Sequence, residues 1–468
     1  MTDALVAALR ARLGEDRVTT DPARLDERRH DYAVLAHLDD MQSRPAPRPR
    51  CVVVPRSTED VVACVNVCRD ARVAMIPFGL GSGVCGGVEG HPDRVVVDLS
   101  GMDRTRFVDE HDLLAGFDAG RRGSEAEADV ARHGLTIGHW PQSVAVSSVG
   151  GWVATRASGQ FSTANGNIED IVHSIEAVLA DGQVLVAGKA PRAASGPDLR
   201  HLLLGSEGTL GIVTGVTLSL RRQPESRQFS AYATPSLGTG VEFQRAVVQS
   251  GWAPPVMRQY DAVEALRSFA AHAKAGHGIL ILVHEGPAAR VAAELDAIDR
   301  LAREHELTPT DAAAAADWLD HRNTVPHWRG FLEKRIIVDT VEVSATWSRI
   351  ERVYDRAIAA LRRVPDVINA SAHSSHVYRS GLNLYFSFAA RPADAADMAA
   401  RYRQCWDAIM TATVAEGGGI SHHHGIGRIR RPYLHHDLGD AGIATLARLK
   451  QSLDPDGLFN PGVLLPDR

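Results

Sequence analysis

An α+β chain of two domains is the architecture this sequence predicts, on three observations. Its 468 residues are too many for one simple core. Between Cys51 and Asp98, strand-like and helix-like stretches alternate as α/β units do. From about 226 to 415 the texture changes to long alanine-rich helical stretches alternating with strands, as in a second α+β domain sitting on the first. The expected divisions are 1–225 (an N-terminal helix, then a core over 46–225), 226–420, and a C-terminal segment over 421–468.

The elements follow in order. Met1 to Asp16 alternates apolar and charged residues as a short amphipathic helix would. Cys51–Pro55 reads as a buried strand. Ser57 and Asp60 then form a capping-box pattern that opens a helix through Asp70. Val73–Pro77 is a second strand and Arg94–Asp98 a third. Ile175–Ala180 and Gln183–Ala187 flank Asp181-Gly182, a strong hairpin signal. A further strand runs through Leu220, and Arg221–Glu225 reads as a domain exit. In the second half, helices are expected over 258–275, 287–306 and 393–416, and strands over Gly278–Val283 and Leu382–Phe388. The Ala312–Ala316 run reads as helix. A last helix over about 440–452 precedes Asn460-Pro461-Gly462, and no period suggests a repeat array.

Composition bounds the function. With 44% hydrophobic and 23% charged residues the chain reads as an ordinary soluble protein. There is no apolar run near 18 residues, so no membrane span is expected, and the N-terminus lacks the apolar core of a signal peptide. A formal charge of −6 argues against nucleic acid as a partner. Five cysteines do not make a disulfide framework; Cys64 and Cys68 lie four apart on a helix with no second ligand pair, and read as buried thiols. A cytoplasmic setting is expected. Leu465 to Arg468 is not a peroxisomal address. Richness in Ala, Arg, Gly and Asp hints at a high-GC bacterium.

Three glycine-rich segments narrow the chemistry. The first is Pro77-Phe78-Gly79-Leu80-Gly81-Ser82-Gly83, continuing to Cys85-Gly86-Gly87. The second spans Pro141 to Gly159, and the third spans Leu204 to Val213. Glycine lets backbone N–H groups approach a ligand, and serine and threonine add hydroxyl donors. The first two read as walls of one groove for a long ligand carrying a diphosphate. Gly79, Gly81 and Gly83, with Asp98 about twenty residues on, invite comparison with a dinucleotide fingerprint. The spacing is instead G-x-G-x-G, and no helix start follows immediately to receive a phosphate.

In this order the segments resemble the flavin domain of the vanillyl-alcohol oxidase superfamily, over about 45 to 465. Within it the chain is similar to the alkylglycerone-phosphate synthase branch. The residues that carry this are the Pro77–Gly83 loop, Ser147-Ser148-Val149-Gly150-Gly151-Trp152, Thr155-Arg156-Ala157-Ser158-Gly159, Gly166-Asn167-Ile168-Glu169-Asp170, Gly205 to Gly211, and Ser421-His422-His423-His424-Gly425-Ile426-Gly427. The resemblance implies a PCMH-type FAD-binding domain of two α/β subdomains, plus an α+β substrate (cap) domain, with 421–468 returning to the flavin. It places the diphosphate on Pro77, Phe78, Gly79, Leu80, Gly81, Ser82 and Gly83. Gln142, Ser143, Ser147, Ser148, Gly151, Thr155, Ala157 and Ser158 line the flavin and ribityl side. Glu207, Gly208, Gly211, Ile212 and Val213 close over the adenine end, and Asn460 joins the cofactor set. Members that link FAD covalently often use a histidine in the first loop. That loop has none here, so FAD is expected to be non-covalent, with Cys85 a packed thiol.

A flavin enzyme needs a group to manage the substrate's proton and a cation for an acidic substrate. Three adjacent histidines cannot all point into one site, and as a bare pattern they could be a metal or surface cluster. The resemblance sets His422, His423 and His424 against the flavin, with His423 foremost, and puts Tyr385 at the acid/base position. Unaided, Tyr385 reads as a strand tyrosine facing the core. Arg329 falls on the branch's substrate-phosphate arginine after a one-residue gap, with Arg322 as rival; either could clamp a phosphate or carboxylate.

A neighbouring branch, the D-lactate and 2-hydroxyglutarate dehydrogenases, binds a divalent metal. His376 survives from that ligand set, but Tyr385 and His423 stand at the other two positions, so no metal is expected. The chain departs from the synthase at His139-Trp140-Pro141-Gln142-Ser143, where a carboxylate pair is lost and an indole gained. The leading expectation is an FAD-dependent oxidoreductase that oxidises a small anionic alcohol or hydroxy acid by hydride transfer to flavin N5. The alternative is a synthase-like, net non-redox acyl-to-alkyl exchange through a flavin adduct. A homodimer is possible.

Overall fold

The computed structural model describes residues 3–466. Met1, Thr2, Asp467 and Arg468 lie outside it, and with them the ends of the N-terminal helix expectation and of the C-terminal tetrapeptide. Three sheets organise the chain. The first carries parallel Cys51–Val53, Val95–Asp98 and Met75–Phe78, with Val18–Thr19 antiparallel at one edge. Helix Thr58–Asp70 connects Cys51–Val53 to Met75–Phe78. Ser57 caps it by accepting the Asp60 amide at 3.2 Å. It buries Val61, Cys64, Val65 and Cys68, one apolar stripe at helical spacing, so both cysteines are core residues. Helix Ala4–Leu13 joins the same core through Leu5, Val6 and Leu9.

The second sheet is antiparallel, in the order Thr105–Asp109, Leu114–Asp118, Ile212–Ser219, Val172–Val178, Val184–Ala187. Its last two strands form the expected hairpin, with Gly182 at φ +85° in the turn. Phe459, near the C-terminus, bridges in parallel to Met75 and is buried in this core, so the chain's end closes the first half.

The third sheet has eight strands. Its order is Thr308–Pro309, Ser226–Thr234, Gly278–Gly286, Val256–Tyr260, Val367–Ser374, Gly381–Ala390, Ile337–Thr346, and Val377–Tyr378 also pairs with Gly381–Ala390. Helices Leu237–Gln249, Ala288–Glu304, Trp347–Leu361 and Met398–Ala415 bury their apolar stripes in its core. Val34 and Leu38, from helix Val34–Met41, are buried in that core too.

The expected helix over 258–275 is corrected. Val256–Tyr260 is a fully buried strand, and the helix runs only from Ala262 to Ser268. Asp261 ends the strand and caps the helix by accepting the Glu264 amide at 2.8 Å. The helix expected from 393 begins at Met398, because Asp394 caps a short 3₁₀ turn after Pro392 first.

Candidate active site

The glycine segments converge. A Cβ on Gly79 would stand 2.6 Å from the Ser148 hydroxyl, so the first and second segments touch there through glycine alone. Gly208 sits at φ +71°, and a Cβ on it would meet the Pro77 ring at 2.8 Å, which joins the third segment to the first. Among the described residues, the amide N–H groups of Leu80, Gly81, Ser82 and Gly83 donate to nothing in the chain. Phe78 is buried beneath them with Arg28 over its ring, 5.0 Å away.

The other predicted cofactor residues fall into two groups. Some serve the scaffold. Ser148 caps helix Val149–Thr155 by accepting the Gly151 amide, Ser147 accepts from the Trp152 indole at 2.8 Å, and Thr155 donates to the Gly151 carbonyl. Ala157, Ile212 and Val213 are buried, and Gly211 packs near the Val178 carbonyl. Ser143 is half-buried. Others bridge distant segments. Gln142 is exposed and donates to the Thr324 carbonyl at 2.7 Å. Ser158 donates to Asn167 and faces His376 Nδ1 at 3.0 Å. Glu207 accepts the Ile426 and Gly427 amides at 2.7 and 2.9 Å, and Asn460 ties the Glu207 and Gly87 carbonyls together. The third glycine segment therefore anchors the loop that follows the histidine triplet.

The triplet faces one row of the eight-stranded sheet. In register, Tyr385 lies opposite Glu342 on one side and His373 on the other. Leu382, Leu384, Phe386 and Phe388 alternate to the far face and are core, so Tyr385 points to the site by the period of two. His373 stacks on Tyr385 with centroids 4.7 Å apart and on Tyr260 at 5.0 Å, and its Nδ1 meets Glu264 at 2.9 Å.

Glu342 sets the triplet's backbone. It accepts the amides of His422, His423 and His424, at 2.5, 3.3 and 2.7 Å, and an Arg430 N–H at 2.5 Å. Both members of that ion pair have fully buried side chains. Burial alone would raise the Glu342 carboxyl, but Arg430 and the facing histidines outweigh it and hold it far below the usual range.

Held this way, the rings pair off. The Tyr385 hydroxyl is 2.5 Å from His423 Nε2, the Tyr378 hydroxyl 2.6 Å from His422 Nε2, and the two Nδ1 atoms of His422 and His423 are 2.8 Å apart. Burial pulls His423 and His376 well below the imidazole range and brings His422 and His424 down to about 4. Burial also pushes the Tyr385 phenol up, against the charge of Arg258. The pair near neutral pH is a phenol hydrogen-bonded to a neutral imidazole. His376, His422 and His423 each offer a ring nitrogen within 4.8 Å of the others, which is room for a metal ion. On His422 and His423 both ring nitrogens are also in hydrogen bonds, Nδ1 of each with the other and Nε2 of each with a tyrosine hydroxyl.

The structure does not bring Arg329 to this cluster. Its side chain is 85% exposed on helix Trp328–Leu332 and pairs with Glu333 four residues on. Arg322 is half-buried against the Trp140 and Phe161 rings, at 5.5 and 5.7 Å, with its Nε unpartnered. The arginine whose charge acts on Tyr385, His373 and His376 is Arg258, which sequence reasoning missed because its segment was read as helix. The available signal was Asp261, a helix-capping residue that starts the helix after Tyr260 and leaves Arg258 outside it, without telling what Arg258 faces. Asn383, two residues before Tyr385, was missed as well; its Oδ1 accepts the amides of Ser375 and His376 at 3.0 and 2.8 Å.

Comparison with known proteins gives this geometry a context. Residues 49–188 match the FAD binding domain family and residues 223–464 match FAD linked oxidases, C-terminal domain. An "Uncharacterized FAD-linked oxidoreductase YgcU" of Escherichia coli O157:H7 is 32% identical, covering 99% of this chain and 98% of that protein. The "Alkyldihydroxyacetonephosphate synthase" of Dictyostelium discoideum is 28% identical over 89% of this chain and 73% of its own length. A solved alkyldihydroxyacetonephosphate synthase superposes with a TM-score of 0.82 at 23% identity, covering 98% of this chain and 86% of that one, a likeness of fold.

FAD fits the residues present. The unpaired amides from Leu80 to Gly83 suit a diphosphate. The imidazole of His139 is buried with both nitrogens unpartnered, and so are Ser206 Oγ and Asn460 Oδ1, polar atoms that a bound cofactor can satisfy. With two family models spanning most of its length and a full-length relative above 30% identity, the chain belongs to the FAD-linked oxidoreductase family.

Proposed function

We propose that this enzyme oxidises a small anionic alcohol or hydroxy acid with non-covalent FAD. The observation that carries the reading is the 2.5 Å contact between the Tyr385 hydroxyl and His423 Nε2. It belongs to a loop that Glu207 ties to the glycine segments. Bound FAD would supply the two-electron acceptor for the substrate's C–H bond. The chain supplies the proton path. Tyr385 passes its own phenolic proton to neutral His423 as it takes the substrate's hydroxyl proton, so no free phenolate is needed. Glu342 fixes the triplet's backbone, and its charge favours the imidazolium that results.

Support for non-covalent attachment is chemical. The first glycine loop holds no histidine, and burial pushes the Cys85 thiol far above its ordinary range, which makes it a poor nucleophile. One observation favours a second reading, acyl-for-alkyl exchange without net redox change: the likeness to the synthase extends over 89% of this chain.

The deciding experiment is the visible spectrum of the purified protein before and after acid precipitation, followed by an anaerobic screen of hydroxy acids and sugar alcohols. Yellow colour released to the supernatant, and bleached by one substrate class, supports the proposal. Colour retained in the pellet would overturn the non-covalent assignment. Flavin that no alcohol bleaches, with turnover of an acyl glycerone phosphate, would favour the second reading. A protein that takes up no FAD would end both.

A further inference from the structure

Two cross-strand rows lie side by side on the site face of the eight-stranded sheet. One is the ring stack Tyr260, His373, Tyr385, closed by Glu342. The other follows from register. Gln259 pairs with Ser374 and Tyr260 with His373, so the next position sets Arg258 opposite Ser375. His373 pairs with Tyr385; past that pair the register shifts by one before Val377 meets Leu382, so Ser375 and His376 both lie beside Asn383, whose Oδ1 accepts their two amides. Arg258, Ser375 and Asn383 are each two residues from a member of the ring stack and share its face.

All three carry donors that the chain does not use. Arg258 is 7% exposed and spends only Nε, on the Tyr260 hydroxyl at 3.0 Å. Its guanidinium lies 5.1 Å from the Trp318 ring and 5.6 Å from the Tyr260 ring. Among the described residues no carboxylate pairs with it, and Glu264, the nearby acid, is committed to His373 and Arg267. Ser375 and Asn383 are both fully buried; among the described residues Ser375 Oγ and Asn383 Nδ2 have no partner of good hydrogen-bond geometry, and Ser375 Oγ faces the Tyr385 hydroxyl. Burying an uncompensated cation beside two orphaned donors is costly. Aromatic faces offset part of that cost; an anion would offset the rest.

We propose that Arg258, Ser375 and Asn383 form an oxyanion subsite that holds the carboxylate or phosphate of the substrate one row away from Tyr385. This rests on the flavoenzyme reading above and assigns the anion to a place neither Arg322 nor Arg329 occupies. The rows are about 6.6 Å apart along the strands. A short molecule can therefore reach both, with its anionic group on Arg258 and its reacting hydroxyl on Tyr385.

The test uses the FAD-loaded enzyme titrated with inorganic phosphate and with oxalate, read by perturbation of flavin absorbance and by the melting midpoint. Saturable binding of either anion is expected, and the tighter of the two names the oxyanion. Arg258→Met should weaken it at least ~30-fold and Ser375→Ala ~5-fold with flavin content unchanged, while Arg329→Met leaves it as it was. Should Arg258→Met not fold, Ser375→Asp, which puts a carboxylate in the subsite, should abolish anion binding with flavin retained. Wild-type affinity in Arg258→Met or Ser375→Asp, or a flavin spectrum that neither anion perturbs, would overturn the subsite. A wild-type protein without flavin would instead refute the flavoenzyme reading.

Discussion

Under the proposed proton path Tyr385 and His423 share one proton, so their contributions should not add. Tyr385→Phe removes the hydroxyl and His423→Ala its acceptor, each leaving the glycine groove intact. Either change should slow anaerobic flavin reduction by substrate ~10²–10⁴-fold with FAD retained, and the double variant should be no slower than the worse single one. Stopped-flow reduction checks this; unchanged rates would remove both from the proton path. The cluster His376, His422, His423 raises a separate question, because its nitrogens could take a metal. Under the proton-path proposal they do not, so dialysis against a chelator should leave the reduction rate unchanged and elemental analysis should find well under one ion per chain. A stoichiometric metal whose removal stops reduction would reverse that assignment. Residue identity made the triplet and Tyr385 legible in the sequence. Arg258 was not legible, because a lone arginine in an unpaired segment carries no sign of what faces it. Only the register across Val256–Tyr260, Val367–Ser374 and Gly381–Ala390 reveals its neighbours.

At the scale of elements, the groove depends on close approach. Gly79 follows directly on a strand, Ser148 caps a helix, and a single Cβ would stand 2.6 Å from the Ser148 hydroxyl. Gly79→Ala should push the two segments apart and weaken FAD at least ~10-fold, a loss of ~1.4 kcal/mol or more, while the far-ultraviolet spectrum stays the same. Gly330→Ala, with nothing within 4 Å of its added methyl, is the control and should bind FAD normally. Equal affinity in both variants would mean the groove is looser than its glycines imply. The same scale shows which elements a sequence announces. Cys51–Val53, Thr58–Asp70 and the Asp181-Gly182 hairpin carry their own caps, periods and turn residues, and each was readable. Val256–Tyr260 is buried on both faces yet carries Arg258 and Gln259 at its centre, so it shows no strand period and blends with the following Glu264, Ala265 and Arg267 into one helical pattern. Long-range pairing decided it.

Across the whole molecule, buried titratable groups of opposite habit sit close together, and their balance sets the response to acid. Burial lowers His139 to about 3, His422 and His424 to about 4, and His376 and His423 well below their ordinary value of 6.5. Unfolding lets these rings take up protons below pH 6.5, so they make the fold less stable as pH falls. Burial raises Glu127 and Glu207 to about 7 and Asp31 and Asp339 to about 6. The folded chain binds protons on these carboxyls that the unfolded chain lacks, so they add stability as pH falls from 7 to about 4.5 and add nothing more below it. The two sets offset each other down to about pH 4.5. Below that the imidazoles act alone, joined by Glu342, whose lowered pKa withdraws stability once the unfolded carboxyl protonates. A ring moved from 6.5 to about 4 is worth ~3 kcal/mol when fully buried, and His422 and His424, half-buried, keep part of that. The urea midpoint should therefore stay nearly flat from pH 7 to 5 and then fall steeply, with unfolding taking up at least ~3 protons below pH 4.5. A midpoint that instead climbs from pH 7 to 5 would mean that the raised carboxyls act unopposed and that the histidines are not held neutral in the fold. His423 could not then be the proton's resting acceptor.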